Sequence, residues 1–250
     1  MKALITILRE TGATIVRVPL LWLFSAFALV SALITSGLFS QGLTNRNLLL
    51  MDCILLLLFP VMILAMAGQI KVVQLHYEGT PTSISQVIRH GARRFWSLVG
   101  VYSITIILTL LFLILLWLLW FLARLLFPQI LRPEMWFFVF LSGAIANILG
   151  GFAQRGIVIS DLSIKASLPI VFQVLRKDAF TVLTLATVFG VLRYFGQLNN
   201  PLTAYSISRI VIFNLAFLVM EVIQSTVYTL VYLHFVGGTQ PSLPEIQAQI

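Results

Sequence analysis

The stretch LVGVYSITIILTLLFLILLWLLWFL, Leu98–Leu122, contains no charged residue. A helix of about 20 apolar residues crosses the roughly 30 Å hydrocarbon core of a membrane. Trp117, Trp120 and Arg124 mark its end, as aromatic and basic residues do at membrane interfaces. The whole chain is 60% hydrophobic and 10% charged, whereas soluble domains are about a quarter charged. The sequence therefore predicts an all-α integral membrane protein.

Five further apolar runs resemble membrane spans in length or in flanking residues. Together they predict a single domain over residues 1–250, a polytopic helix bundle with six transmembrane helices near 18–39, 48–70, 98–122, 135–153, 179–195 and 207–236. Pro60 lies in the middle of the second run and predicts a kink there. The first run exceeds the roughly 7–15-residue apolar core of a signal peptide, so we expect an uncleaved helix.

The basic residues predict how the spans are threaded, because short loops rich in Lys and Arg stay in the cytoplasm. With the N-terminus inside, the inner segments hold Lys2, Arg9, Arg17, Lys71, Arg89, Arg93, Arg94, Arg155, Lys165, Arg176 and Lys177. The outer segments hold only Arg46, Arg124, Arg132, Arg193 and Arg209. We therefore expect both termini on the cytoplasmic side of a bacterial inner membrane. This bias also explains the net charge of +8 without nucleic acid, for which no reading module is present.

Charge gathers in SISQVIRHGARRFWSLVG, Ser83–Gly100, where the apolar residues recur at helical spacing. Ser83 and Gln86 have the spacing of a capping box. We therefore predict an amphipathic interfacial helix near 83–96 that turns into the third span at Trp96. Its apolar face would hold Ile84, Val87, Ile88, Gly91 and Phe95, and its polar face Ser85, Gln86, Arg89, His90, Arg93, Arg94 and Ser97.

A similar pattern recurs in SDLSIKASLPIVFQVLRKDAF, Ser160–Phe180, roughly eighty residues later. We predict a second cytoplasmic-side amphipathic helix near 167–178, with Pro169 in its first turn. The two helices are either elbows that are basic because they lie inside, or a platform for anionic lipid headgroups or a membrane-complex subunit. The candidate contacts are Arg89, Arg93, Arg94, Lys165, Arg176 and Lys177.

These two segments, in which a polar turn leads to an amphipathic helix and then a span, carry a resemblance. The sequence resembles the six-helix membrane domain that precedes the catalytic domain in some bacterial glycerophosphoryl diester phosphodiesterases, and the standalone relatives of that domain. The likeness covers roughly Leu48 to His234. It implies a six-helix membrane fold and carries over no catalytic residues, because no segment here resembles the catalytic domain.

Glu221 falls near the middle of the sixth apolar run, where a carboxylate is costly and faces a partner or a cavity. Asn214, Gln224, Ser225 and Tyr228 accompany it along the same run. Asn147, central in the fourth span, is a candidate partner for it. Glu221, Asn147, Asn214 and Gln224 thus form a candidate intramembrane polar cluster, either a packing contact between helices or part of an ion or proton path.

No residue pattern predicts catalysis, a cofactor or a metal ion. The three histidines, His76, His90 and His234, are too sparse for a metal site and are expected to be solvated at the interface. Cys53 is the single cysteine, which excludes an intramolecular disulfide, and we expect a small buried side chain there.

Two functions remain open on the sequence. The first is a non-enzymatic scaffold, accessory subunit or modulator of a membrane complex. The second is a transporter or permease component with a polar path near Glu221 and Asn147. A sealed bundle around Glu221 would favour the first, and a polar cavity reaching it would favour the second.

Overall fold

The computed structural model describes residues 2–27, 30, 45–126, 135–198 and 207–237 of the chain. These residues are almost entirely helical, and none of them lies in a strand. The first two helices are α1, Lys2–Arg17, and α2, 19–27. They are followed by α3 (Asn45–Tyr77), α4 (Ile84–Leu126), α5 (Met135–Ser160), α6 (Ile164–Leu198) and α7 (Ile207–Tyr232), and a π-helical turn, Leu233–Gly237, follows α7. The predicted all-α class is confirmed for this part of the chain.

Several helices are long and apolar enough to cross a membrane. Among the described residues, three segments qualify, Leu56–Tyr77, Ile84–Leu125 and Asn214–Val236. A fourth span is reached if Gly143–Ser160 and Ile164–Leu192, which are bent by 118°, are taken together. Half of the predicted first span, 18–39, lies outside the described residues. The helix α3 runs through Pro60 from Asn45 to Tyr77.

One expectation about α4 is wrong, because the helix does not turn at Trp96. It runs unbroken from Ile84 to Leu126, which is about 64 Å at 1.5 Å per residue. The sequence between these residues contains no proline that would interrupt the backbone hydrogen bonds. The amphipathic segment and the following apolar run are therefore two parts of one helix, and the two parts lie in different surroundings.

The helix α6 carries the break that α4 lacks. Asp178 has a non-helical backbone, with φ −153° and ψ 76°. Its carboxylate caps the second half of the helix, accepting bonds from the Thr181 amide at 3.0 Å and the Thr181 hydroxyl at 2.6 Å. This break falls where the sequence ends the second amphipathic helix. That helix begins at Ile164 instead of Ser167, so Pro169 lies inside it.

The helices are packed most tightly at one end of the bundle, where α3, α5 and α7 end and α4 and α6 begin. We call this the basal end. His90 Nε2 is 2.8 Å from the Val158 carbonyl oxygen, and the Ser160 and Tyr232 hydroxyl oxygens are 2.8 Å apart. The largest fully buried side chains are concentrated here or nearby and include Tyr228, Tyr232, Phe152, Ile70, Leu98 and Ile157.

The N-terminal helix α1 is an element that the sequence analysis did not assign. It contacts α7, and its buried residues Ile7, Thr11 and Thr14 recur at helical spacing. Arg9 and Glu10 are exposed on it. Its apolar stripe is short, so a search for membrane spans passes over it, and only a helical-wheel reading of residues 2–17 would find it.

One further expectation about burial is wrong. Cys53 is exposed instead of buried. Ile84 and Ile88 are exposed, so the buried side of the amphipathic segment consists mainly of Val87 and Gly91. Phe172 is also exposed on α6. In a membrane protein an apolar side chain can face outward without cost, because lipid is as apolar as the protein interior.

Candidate functional site

The predicted polar cluster comes together only in part. Asn147 on α5 and Gln224 on α7 are bonded, with Gln224 Nε2 donating to Asn147 Oδ1 at 3.2 Å. Glu221 is half-buried one turn away on α7. Gln224 is therefore one hydrogen-bond partner of Asn147. Asn214 is buried and stands apart from the other three.

Asn147, Glu221 and Gln224 line one cavity between α3, α4, α5 and α7, with a volume of about 680 Å³. Ligand pockets in proteins enclose roughly 300–1,000 Å³, so this cavity is large enough for a small molecule or part of a lipid. Its polar lining consists of Gln69, Thr105, Thr109, Asn147, Gln154, Arg155, Glu221, Gln224, Ser225 and Tyr228.

The cavity changes in polarity along the bundle axis. Arg155, Gln154 and Ser225 lie toward the basal end of their helices. Apolar side chains line the opposite end, namely Phe59, Met62, Leu110, Ala146 and Phe217. From Phe59 to Gln69 the cavity follows α3 for about 15 Å at 1.5 Å per residue. The cavity therefore has a polar basal end and an apolar distal end.

The described residues do not seal the side of the cavity. Tyr102, Ile106 and Leu110 on α4 line it and are also exposed on the bundle surface, as is Met62 on α3. These four residues lie in segments that are long and apolar enough to cross a membrane. The cavity thus opens on the flank of the bundle that would face lipid.

Arg155 is a charged residue at the polar end of the cavity, and only 4% of its surface is exposed. Its Nε donates to Thr229 Oγ1 at 3.2 Å, its Nη1 to the Gly151 carbonyl at 2.6 Å and its Nη2 to the Ser225 carbonyl at 2.8 Å. The guanidinium carbon also lies 5.5 Å from the centre of the Tyr228 ring, a cation–π distance. Among the described residues, no carboxylate lies within ion-pair distance of Arg155.

Local sequence explains how this arginine is accommodated. Gly151 is one turn before Arg155, and a Cβ there would lie 3.6 Å from Arg155 Nη1 and 3.6 Å from Tyr228 Cδ1. The guanidinium therefore occupies space that a larger side chain would fill. The Thr229 hydroxyl accepts from Arg155 while donating to the Ser225 carbonyl at 2.7 Å, so α7 presents a linked pair of acceptors.

Two polar atoms of the cavity wall have no hydrogen-bond partner among the described residues. They are Thr105 Oγ1 on α4 and Gln224 Oε1 on α7. Thr105 and Gln224 are each only 7% exposed. Buried polar groups in proteins are almost always bonded to protein, water or a ligand. These two atoms are therefore available to molecules inside the cavity.

Arg155 is not among the predicted site residues, because the predicted fourth span ends near Ala153 and leaves the arginine in a basic inner segment. The helix instead continues to Ser160. The signal was present in GGFAQRGIVIS, where apolar residues resume after the arginine. A charge inside an apolar run is a functional-site candidate by its cost alone.

A second, shallower depression lies at the basal end of the bundle, with a volume of about 470 Å³. Of the predicted lipid or partner contacts it contains Arg89 and Arg93, and its complete lining is Lys71, Ser83, Ser85, Gln86, Arg89, His90 and Arg93. His90 is half-buried and bonded to the Val158 carbonyl, so its expected full solvation is wrong. We call this depression the basic depression.

The other predicted contacts lie elsewhere. Arg94 pairs with Asp161, with Nη2 2.7 Å from Oδ1, and so joins α4 to the turn after α5. Lys177 donates to the Phe235 carbonyl in the π-helical turn at 2.5 Å. Lys165 and Arg176 are exposed on α6. Of the six predicted cations, Arg89 and Arg93 therefore share the basic depression.

Within the described ranges, no group of three or more His, Cys, Asp or Glu side chains is placed to hold a metal ion. Comparison of the chain with protein-family models, with curated proteins and with solved structures finds no match.

Proposed function

We propose that the protein is a transporter or permease component of a bacterial inner membrane, with its solute-binding cavity between α3, α4, α5 and α7. The observation that carries the proposal is the cavity of about 680 Å³, which reaches Glu221, Asn147 and Arg155. A bundle that served only as a scaffold would gain stability by filling this space, since an empty cavity costs packing contacts. A polar cavity in an apolar bundle is instead the arrangement that lets a solute enter.

A scaffold or accessory role is the second candidate, and the basic depression favours it. Lys71, Arg89 and Arg93 present three cations on one concave surface. Each surface cation adds about 1 kcal/mol of attraction to an anionic leaflet, and an acidic partner surface would be attracted similarly. The basic depression and the cavity are on different parts of the molecule, so each role can be tested without the other.

We further propose six spans with both termini in the cytoplasm. The arrangement of helix ends at the basal end supports this proposal. Because α3, α5 and α7 end there while α4 and α6 begin there, successive helices from α3 to α7 run in alternating directions. Burial of Arg155 removes one cation from the inner segments, which leaves ten against five outside. We also propose kinship with the six-helix membrane domain of the phosphodiesterases, on the repeated pattern of helix and span.

The cavity can be tested by cysteine accessibility after Cys53 is replaced by serine. Single cysteines at Ala146 and Ser225 would line the cavity. Ser167, which is buried on α6 away from the cavity, and Leu115, which is exposed on α4, provide matched controls. A membrane-impermeant maleimide is applied to vesicles of each orientation.

For a transporter, we expect labelling of Ala146→Cys and Ser225→Cys and no labelling of Ser167→Cys or Leu115→Cys. Access from both faces of the membrane indicates transport, and access from one face indicates a closed state or a receptor. If neither cavity position reacts from either side, water does not reach the cavity and the scaffold function is the better one.

A further inference from the structure

We infer that the cavity binds an amphiphile with an acidic headgroup, which enters through the open flank and is anchored by Arg155. The inference rests on the proposed function, since it names the class of substrate for the same cavity. A phosphate or carboxylate would bind at the basal end, and the alkyl chain would extend toward the distal end.

The charge of the site is the first step. An arginine side chain keeps its positive charge in proteins and has five N–H donors. The three hydrogen bonds of Arg155 use three of these donors, all toward uncharged oxygen atoms. Two donors remain, and a phosphate or carboxylate is the partner that both balances the charge and accepts their hydrogen bonds.

The two unpaired atoms in the cavity wall are an independent second observation. Thr105 Oγ1 can donate to an anion, while Gln224 Oε1 accepts only from a donor such as a hydroxyl group. Glu221 is one turn of α7 before Ser225, on the distal side, and its carboxylate also favours a donor. The lining therefore predicts an acidic group beside Arg155 and a hydrogen-bond donor between it and the alkyl chain.

The shape of the cavity provides the third step. Its distal end is apolar, and four of its lining residues, Met62, Tyr102, Ile106 and Leu110, are exposed on the flank of the bundle. A soluble anion such as free phosphate would leave the distal end and this opening unused. An amphiphile fills both, because its chain can lie against the apolar end and reach the lipid through the opening.

The test uses an alkyl series of one chain length, added to the full-length protein in neutral detergent and counted as bound adducts by native mass spectrometry. The probes are dodecyl phosphate, dodecanol and inorganic phosphate. The variants are Arg155→Gln, Thr105→Val and, as a control, Arg176→Gln, which removes an exposed cation away from the cavity.

We expect wild-type protein to bind dodecyl phosphate more tightly than dodecanol, and inorganic phosphate least. Arg155→Gln should lower the affinity for dodecyl phosphate about tenfold or more, because a charge-assisted hydrogen bond is lost, and should change dodecanol binding less than twofold. Arg176→Gln should change neither. Thr105→Val should lower dodecyl phosphate binding several-fold without lowering the unfolding temperature, because the hydroxyl has no hydrogen-bond partner among the described residues.

An Arg155→Gln variant with wild-type helix content and unchanged preference for dodecyl phosphate would overturn the inference. If that variant does not fold, Thr105→Val decides, and an unchanged affinity there overturns the inference as well. Inorganic phosphate binding as tightly as dodecyl phosphate would identify a free-anion site and contradict the amphiphile. This experiment measures binding and not transport. If the protein binds the amphiphile but does not transport it in liposomes, the proposed transport function is rejected and the inference about binding stands.

Discussion

Two stretches, the distal part of α4 and the basal part of α7, are in opposite environments. Between Ile106 and Leu125 no residue of α4 is buried, although this is the most apolar helix that can cross a membrane. From Gln224 of α7 to Leu233, the first residue after α7, every residue is buried, although four of these ten are Gln, Ser or Thr. The less hydrophobic helix is therefore the one inside the bundle.

The difference shows what holds this bundle together. Lipid is as apolar as leucine, so burying an apolar side chain against another helix gains no hydrophobic free energy. Close packing and hydrogen bonds are therefore the interactions that stabilise helix contacts in lipid, and α7 contributes both. Thr229 and Ser225 bond to Arg155, and the Tyr228 ring packs 5.2 Å from Phe152. We expect distal α4 to tolerate a change in side-chain size but not an added charge. We expect the α5–α7 contact to tolerate polar or charged groups better than a change in side-chain size.

The largest effect is expected from a charge on distal α4. Leu115→Arg should oppose membrane insertion by about 2.5–3.5 kcal/mol, the cost of an arginine at the centre of a spanning helix. Leu115→Ala should insert almost normally, since only lipid contacts change. The fraction of membrane-integrated chain measures both. Normal insertion of Leu115→Arg would mean that this face of α4 is not in contact with lipid.

The next effect concerns the α5–α7 contact. Phe152→Ala should lower the free energy of unfolding by about 2–3 kcal/mol, less than the usual Phe→Ala cost because no hydrophobic transfer term applies in lipid. Phe121→Ala on α4, where 45% of the side chain is exposed, should cost under about 0.5 kcal/mol. Unfolding in mixed micelles titrated with SDS compares them. Equal losses would contradict the division between packed and lipid-facing helices.

A smaller effect tests close packing without changing polarity. A Cβ at Gly68 of α3 would lie 2.7 Å from two carbon atoms of the Phe24 ring. Gly68→Ala should therefore destabilise the bundle by about 1–2 kcal/mol. Gly12→Ala on α1, where nothing lies within 4 Å, should be neutral or slightly stabilising because alanine favours helix. The same SDS titration applies, and a neutral Gly68→Ala would show that Phe24 moves aside.

The smallest effect is expected at the basal end, where Arg94 and Asp161 are partly exposed. Asp161→Asn should lower the free energy of unfolding by no more than about 1 kcal/mol, the usual range for surface ion pairs. The loss should shrink as salt is raised, because salt screens exposed charges. A double-mutant cycle with Arg94→Gln measures the pair itself. A loss independent of salt would point to a packing role for Asp161.

The positions of the helices could largely be predicted from the sequence, whereas the points at which a helix breaks could not. Long apolar runs led to α3, α4, α5 and α7, and the change of pattern at Asp178 coincides with a true backbone break. At Trp96 a similar change of pattern accompanies no break. Amphipathic character reports which surroundings a residue faces, and only a proline, a glycine turn or a cap interrupts the backbone itself.

The candidate site could be predicted by residue type but not by geometry. Glu221, Asn147 and Gln224 were singled out because polar groups are costly in apolar runs, and all three line the cavity. The pairing of Gln224 with Asn147 depends on the rotation of α7 against α5, which no single-helix pattern specifies. Thr105 could not be found, because a threonine in an apolar helix ordinarily bonds its own backbone.

The unbroken length of α4 has a mechanical consequence. Arg89 and Arg93 in the basic depression and Thr105 in the cavity wall are on the same continuous helix, with no break between them. A continuous helix tends to tilt and rotate as one rigid body. When headgroups or a protein surface draw the cationic end of α4 sideways, the cavity wall at Thr105 must swing with it, whereas the capped joint at Asp178 lets the two halves of α6 turn independently.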